Sequence, residues 1–492
     1  MVYDFDPDRV EVRSGYFVDG QFQVGSDGQV AVARPSDAMQ YGILEGCTAD
    51  EVDRAVESAW RAFRQTDWAN CSPRLRARIL RRWADLIDAD AATLAPLEAI
   101  GSTRPIREVA SFDIPFTADG IRFFAELADK VGGEVAPTRS SSLGLILPEP
   151  YGVVAAIAPW NFPLVMASWK FAPALAAGNA VVLKPSELTP FSVLRLAELA
   201  IEAGMPAGIF NVVQGSGKTV GQALCRHPKV AKITFTGSTA TGRAIMTAAA
   251  ESGVKPVTLE LGGKSPQIVF ADVPDLERTA GTIARAITGN AGQVCVAGSR
   301  LIAHERIAEA LTDRIAKAFR ALKPGATWHE NTTLSPMISE AHANRVDDIV
   351  RRTVSAGAEL LVGGARASAP QDGAYYLPTI LGRVTSEMPA VEEEVFGPVL
   401  TLQTFTDEEE GLSLADHPIY GLSAGVHTKD IAQAMRAIRR LEAGTVWVNR
   451  YGRSTDFVLP TGGYKRSGLG KDLGRAAYEA NLRYKTALID FD

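Results

Sequence analysis

Cysteine is scarce in this chain: Cys47, Cys71, Cys225 and Cys295 are the only four in 492 residues, with no Cys-x-x-Cys pair and no Cys/His cluster. A disulfide framework and a structural zinc site are therefore not expected, no metal ligand set is assigned, and a reducing cytoplasm is the compartment that fits. An excess of positive charge is also missing. The formal net charge is −6, which disfavours a strongly basic nucleic-acid binder, so no nucleic-acid partner is expected. The opening residues, Met-Val-Tyr-Asp-Phe-Asp-Pro-Asp-Arg, contain no apolar core of a secretory signal. Long apolar runs are absent with one exception. Pro150 to Trp169 carries no charge over roughly the 20 residues that span a bilayer. Pro159, Asn161 and Pro163 interrupt it, so a buried strand followed by a loop is expected there, and no membrane contact.

What is present is ordinary globular composition, 46% hydrophobic and 22% charged. The length calls for at least two cores. Short extended pieces lie around Tyr16–Phe22. Thr48-Ala-Asp-Glu51 reads as a capping box opening a helix through Phe63, and helical patterns follow at Arg74–Asp88 and Asp113–Lys130. Residues 132–150 read as an extended hairpin turning at Arg139–Ser142. From Tyr151 strands and helices alternate. Strands are expected at Val153–Ile157, Ala180–Leu183, Asn211–Val213, Ala231–Phe235 and Pro256–Leu259. Helices are expected at Ala167–Ala177, Pro190–Ala203, Val220–Cys225 and Thr241–Ala250. Such alternation means βαβ units and a parallel sheet, with ligands at the carboxyl ends of its strands. The pattern restarts with Ser265–Phe270, helix Asp275–Asn290, strand Leu301–His304 and helix Arg306–Ala321, which implies a second α/β domain. Arg483–Asp492 reads as a final strand with an acidic tip.

Four places carry chemistry. Gly215-Ser-Gly217-Lys-Thr-Val-Gly221 follows a strand and precedes a helix, a context that suits a dinucleotide or a plain tight turn. It is not a P-loop, because position 212 is Val212 where that motif needs glycine. Phe235-Thr-Gly237-Ser238 is a second strand-to-helix turn, whose backbone N–H groups would face a phosphate or whose Ser238 would simply cap the helix. Glu260, in Leu259-Glu-Leu-Gly262-Gly263-Lys264, ends an apolar strand. Desolvation there would raise its pKa and suit it to general-base work, unless it pairs with Lys264. Cys295 lies in a glycine-bracketed turn between Gly292 and Gly298, open to reading as a nucleophile or as a buried small residue.

Five segments, in order, carry a resemblance. They are Pro159-Trp-Asn161-Phe-Pro163, Leu259–Lys264, Asn290-Ala-Gly292-Gln293-Val-Cys295, Glu393-Glu394-Val-Phe396-Gly397-Pro398 and Gly462-Gly463-Tyr-Lys465-Arg-Ser467-Gly468. Together they resemble the aldehyde dehydrogenase superfamily over nearly the whole chain from the first helix onward. The resemblance implies oxidation of an aldehyde to its acid with NAD, NADP being possible. The expected fold is α/β, with two doubly wound parallel-sheet domains and a small β arm. The Rossmann-like cofactor domain would span 1–131 and 151–261, the catalytic domain 262–480, and the arm 132–150 and 481–492. That arm would join a homodimer or homotetramer.

Carried onto this sequence, the resemblance makes Cys295 the nucleophile toward a small-molecule aldehyde. The Asn161 amide and the Cys295 backbone N–H would hold the oxyanion, and Glu260 would be the base that hydrolyses the thioester. Lys170 matches a lysine that the family keeps near the site. Lys184 and Glu187 would contact the adenosine ribose, with Glu187 disfavouring a 2′-phosphate. Trp160, Gly217, Gly221, Gly237 and Ser238 would line the dinucleotide path, and Glu394 and Phe396 would meet the nicotinamide ribose. Phe162, Met166 and Trp169 resemble an apolar substrate tunnel. Two departures fall at its mouth. Thr461 stands where the family often has phenylalanine, and the preceding loop carries Arg450, Arg453 and Asp456, which together point to a polar substrate tail, anionic rather than cationic. A glutamate that some members keep near the C-terminus corresponds to Asp472. A CoA-acylating relative is the competing enzyme, though that branch tends to lack the glutamate at the Glu260 position. A non-catalytic structural homologue is the other alternative.

Overall fold

The computed structural model describes residues 4–368 and 372–491. The acidic tip expected at Asp492 lies outside the described residues. Two large sheets organise the chain. The first has eight strands. Its centre is parallel and runs Phe210–Val212, Ala180–Lys184, Val153–Ile157, Val230–Thr236 and Val257–Glu260. On one side Tyr16–Val18 adds antiparallel, and Gln21–Gln23 pairs antiparallel with it as the edge strand. Gly468–Leu469 adds antiparallel on the other, beside Leu259–Glu260. The central strands are buried on both faces, as their unbroken Val/Ala/Ile/Leu sequences require.

The second sheet has seven strands. Pro266–Val269 lies between Arg300–His304 and Ser423–His427, all parallel. The last parallel strand of the first sheet leads directly into the second sheet, since it ends at Glu260 and Pro266 begins the next strand. The linker Leu261–Ser265 therefore carries the chain across the junction between them. Residues beyond that junction also return to the first core, where Phe457, Leu473, Ala477, Tyr478 and Leu482 are buried.

The helices sit where local sequence puts them. Thr48 and Glu51 form the full capping box ahead of helix Ala49–Gln65. Some expected helix boundaries are displaced. The helix expected from Ala167 already begins at Pro163, within the stretch expected as a loop, because a proline fits the first helical turn. The helix expected at Val220–Cys225 is split into a π turn, Gly217–Gly221, and Gln222–Arg226. The helix expected to reach Asn290 stops at Thr288, and Asn290 and Ala291 turn left-handed at φ 48° and 50°. Residues Glu134–Ala136, Ser142–Pro150 and Leu482–Asp490 form a separate three-stranded antiparallel sheet. Leu482–Asp490 is its edge strand and exposes Tyr484, Leu488 and Ile489. No helix among the described residues is long and apolar enough to cross a membrane.

One buried ion pair braces the helical layer next to the junction. The Arg104 guanidinium donates from Nε and Nη2 to the two carboxylate oxygens of Asp113 at 2.8 and 3.0 Å, and stacks 4.3 Å from the Phe162 ring centre. Asp113→Ala would strand that buried cation beside the single remaining carboxylate of Glu108. A stability loss of about 3 kcal/mol is expected. It is read as a lower thermal unfolding midpoint, and an unchanged midpoint would show that the pair is dispensable.

Candidate active site

Two cavities adjoin at the carboxyl ends of the first sheet, sharing Pro159, Trp160, Thr236, Gly237 and Ser238 in their walls. One is a cleft of about 390 Å³ bordered by Lys184, Glu187, Gly217, Gly221 and Gln222. The other, about 360 Å³, is bordered by Asn161, Gly262, Cys295, His342, Arg345, Glu394 and Phe396. They form one groove that runs from the first sheet to the thiol.

The far end of the groove has room kept for a ligand. A Cβ added at Gly217 or Gly221 would meet no atom within 4 Å, so packing within the chain does not demand glycine at either position. Gly215 is different. Its φ is 133°, and a Cβ there would strike Val220, so this glycine serves the turn. Lys184 is buried and donates to the Pro185 carbonyl at 2.9 Å, with Glu187 at 3.4 Å. Burial pulls the Lys184 ammonium below its usual range, against the pull of the half-exposed Glu187 carboxylate. Ser238 caps the helix Thr239–Glu251, its hydroxyl accepting from Thr241 N–H at 3.2 Å. Gly237 N–H donates to the Glu260 carbonyl at 3.0 Å. The sequence reading that offered this N–H to a phosphate is thereby corrected, because the strand neighbour already uses it.

At the near end, Glu394 accepts from Gly263 N–H at 3.0 Å, and burial pushes its carboxyl up to about 6. Two residues that the sequence reading missed hold this segment. Arg345 donates to the Val395 and Glu394 carbonyls at 2.9 and 2.8 Å. His342 Nε2 lies 2.8 Å from the Phe396 carbonyl, and its ring forms an aromatic cluster with Trp160 and Phe396. Neither sits in a motif, and only their distance from Glu394 in space marks them.

Cys295 is a free thiol at the head of a turn closed by Ala297 N–H on the Val294 carbonyl at 2.9 Å. A tight network sets that turn. Asn290 Nδ2 donates to the Asn161 carbonyl at 2.9 Å, and Asn161 Nδ2 donates to the Gln293 carbonyl at 2.9 Å. Thr103 donates to Asn290 Oδ1 at 2.6 Å. Gln293 ties the turn to the Pro336–Ile338 segment, donating to the Pro336 carbonyl at 3.0 Å and accepting from Ile338 N–H at 2.8 Å. One Asn161 amide hydrogen is left over. The Cys295 backbone N–H has no partner among the described residues. Burial raises the thiol's pKa, the Arg453 guanidinium opposes that, and the Glu260 and Glu394 carboxylates add to it.

Glu260 is buried and its Oε1 has no hydrogen-bond partner. Burial and then the Asp472 carboxylate push it up to about 8, against Lys170, Arg453 and Lys471. Lys264 also has no partner at Nζ, so the structural pairing of Glu260 with Lys264 is not made. Lys170 instead forms a fully buried ion pair with Asp472. Asp472 pairs backbone to backbone with Thr461 in both directions, at 2.7 and 2.8 Å. Met166 and Trp169 are buried on the helix Pro163–Ala176, and Phe162 precedes it. Arg453 reaches in over the Trp169 ring and onto Thr461, while Arg450 stays exposed.

The sequence pattern of the aldehyde dehydrogenase family matches residues 22–487. This chain belongs to the aldehyde dehydrogenase family. Escherichia coli NADP/NAD-dependent aldehyde dehydrogenase PuuC is 43% identical over 98% of this chain and 96% of its own length. The NAD+ and IAA complex of P. syringae indole-3-acetaldehyde dehydrogenase superposes with a TM-score of 0.96 at 40% identity, covering 98% of each chain. Gamma-glutamyl-gamma-aminobutyraldehyde dehydrogenase from Burkholderia cenocepacia gives 0.96 at 42% identity, covering 99% of this chain and 98% of its own.

The turn that presents the thiol to this aldehyde dehydrogenase groove depends on Gly292. Its φ is 73°, and an added Cβ would lie 2.1 Å from the Gly397 carbonyl oxygen. Gly292→Ala is therefore expected to displace the Cys295 turn. Alkylation of Cys295 by iodoacetamide should change at least severalfold, followed by peptide mass mapping. An unaltered rate with an unaltered melting midpoint would show that the turn tolerates the side chain.

Proposed function

We propose that this aldehyde dehydrogenase oxidises an aldehyde to the carboxylic acid with NAD, through covalent catalysis by Cys295. The observation that carries the reading is the free Cys295 thiol, held on a clamped turn in the same cavity as Asn161 and Glu394. The sulfur attacks the aldehyde carbon, and the thiol proton passes to solvent water. The alkoxide that forms meets the remaining Asn161 N–H and the unpartnered Cys295 N–H. One such donor is worth about 3–4 kcal/mol when it is aimed at the developing charge. Lys184, Glu187, Gly217, Gly221 and Ser238 would hold the adenosine and phosphate end of NAD, with Gly237 lining the cleft but its N–H already used, and Trp160, Glu394 and Phe396 the nicotinamide end. When bound, the cofactor supplies the hydride acceptor. Glu260 takes a proton from the water that cleaves the thioester, and covalent catalysis divides one hard oxidation into two easier steps. Lys170 and Asp472 position Glu260 electrostatically. The division expected from sequence, 1–131 with 151–261 against 262–480, would suit this split of labour, although Phe457, Leu473, Ala477 and Tyr478 pack into the first core.

The exposed apolar residues of strand Leu482–Asp490 support a homodimer or homotetramer assembled through 132–150 and 481–492. Four free cysteines are consistent with a reducing cytoplasm.

Cys295→Ala should abolish NADH formation over an aldehyde panel, with and without CoA, while nucleotide binding by fluorescence titration persists. Steady-state turnover by the alanine variant would refute the nucleophile. The base must be ionised to accept a proton. With Glu260 raised to about 8, the rate limited by thioester hydrolysis should climb as pH rises and level off above about 8. Glu260→Gln should lose that limb and slow steady-state turnover by at least about a hundredfold while sparing the first-turnover burst. A wild-type profile in the glutamine variant would remove Glu260 from the mechanism.

Cofactor choice follows from Glu187 at the rim of the cleft. Its carboxylate accepts from a 2′-hydroxyl and repels a 2′-phosphate. Glu187→Ser should raise the NADP to NAD ratio of kcat/KM by about tenfold, from the loss of one like-charge contact. An unchanged ratio would place discrimination elsewhere in the cleft.

A further inference from the structure

We propose that the preferred substrate is a short aldehyde bearing a carboxylate at its far end, and that Arg453 is the specificity-determining residue that receives it. The inference rests on the aldehyde-oxidising reading of the site and assigns its substrate class.

The guanidinium of Arg453 is held in place by neutral groups alone. Nε and Nη2 donate to Thr461 Oγ1 at 3.1 and 2.8 Å, and the guanidinium carbon lies 5.0 Å from the Trp169 ring centre. Among the described residues no carboxylate oxygen lies within 4.0 Å of it. Its Nη1 makes no hydrogen bond among the described residues. Thr461 Oγ1 accepts twice and its own hydrogen has no acceptor. Donors are therefore left over on a partly buried guanidinium, the arrangement that a carboxylate satisfies with paired, charge-assisted bonds.

Among the described residues, none of the nearby acids forms an ion pair with this guanidinium. Asp456, on the same loop, is exposed and turned onto its own neighbours, accepting from Ser454 Oγ at 2.7 Å and Val458 N–H at 3.3 Å. Glu260 is buried and held largely protonated near neutrality. Asp472 is committed to Lys170. Lys471 adds a further positive charge nearby, donating to the Gly462 carbonyl at 2.9 Å.

A cavity of about 230 Å³ borders Arg453 and Thr461. Trp447, Phe457 and Leu473 give it apolar walls, and Arg450 stands at its exposed side. Apolar walls that end in unpaired donors suit a short methylene chain with an anionic end. An ammonium tail would meet an uncompensated cation. Arg450 makes a single long contact, 3.4 Å to the Arg453 carbonyl, and adds field rather than a fixed fork.

The test compares kcat/KM for succinic semialdehyde, glutaric semialdehyde, pentanal and 4-aminobutanal, with NAD, in the full-length wild type and in Arg453→Ala, Arg453→Lys and Thr461→Val. The wild type should prefer a semialdehyde over pentanal and over the aminoaldehyde by at least about tenfold. Arg453→Ala should lose at least about tenfold more on the semialdehydes than on pentanal, chiefly through KM. Arg453→Lys, which keeps the charge without the fork, should fall between. Thr461→Val, which frees the guanidinium, should lose selectivity in the same direction. Equal losses on all four substrates would overturn the proposal and leave Arg453 acting only on the thiol and Glu260. A wild type that prefers pentanal or 4-aminobutanal would overturn it without any variant having to fold, while leaving aldehyde oxidation intact. No turnover of any aldehyde by the wild type would overturn both.

Discussion

Asn290 and Ala291 occupy left-handed backbone conformations at φ 48° and 50°, followed by Gly292 at 73°. Each non-glycine residue there costs about 1–2 kcal/mol. The strain persists because side chains far away in sequence hold it. Thr103, Asn161, Gln293 and the Pro336–Ile338 segment all bond into this one turn. Those partners belong to the helical layer, to the loop after the strand Val153–Ile157, and to the second sheet's side of the chain. The thiol that follows is thus located by contacts from several elements at once, and the groove, the oxyanion donors and the path to Glu394 all take their positions from it. Gly262 and Gly263 complete the arrangement by close approach. A Cβ on the first would strike the Glu394 carboxylate at 2.2 Å, and on the second the Cys295 carbonyl oxygen at 2.7 Å.

Around that turn the chain spends buried charge unevenly. Lys170 and Asp472 neutralise each other out of water, which is tolerable because each is satisfied. Glu260 has no such partner, and its price is paid in protonation rather than in a bond. The same desolvation that keeps it neutral at rest makes it a stronger base once ionised than a surface glutamate would be. Lys264, pulled down to about 7 by burial and the Arg300 guanidinium, shows the same logic with the opposite sign on the other side of the linker.

The alternating core strands were legible from sequence because parallel strands buried on both faces must be continuously apolar. Val153–Ile157 is found with the bounds expected of it. The chemistry-bearing side chains were nameable as types in context: a carboxylate at an apolar strand end, and a thiol in a glycine-bracketed turn. What local sequence left open at Cys295 and Glu260 was function against packing, and only the ordered motifs narrowed it. Other features had no local signal at all. The left-handed turn follows a good helical pattern, and its cause lies in Thr103, 187 positions away. Arg345 and His342 look like solvent-facing residues of an amphipathic helix, yet they fix Glu394 and Phe396. Gly468–Leu469 is too short a strand to carry periodicity, and only its pairing beside Glu260 reveals it.

Thr461 ties these strands of argument together. The short Thr461 side chain lies beneath the Arg453 guanidinium, which packs over the Trp169 ring. The hydroxyl then supplies the anchor that a phenyl ring cannot. Through its paired backbone the same residue is the neighbour of Asp472, which in turn holds Lys170 and raises Glu260. One backbone bridge therefore joins the substrate mouth to the carboxylate proposed as base. A change that displaces Thr461 moves both the fork that would receive a tail and the charge pair behind the base. The proposed substrate selection and the proposed proton transfer would consequently be coupled by geometry, although the residues assigned to them lie on different elements.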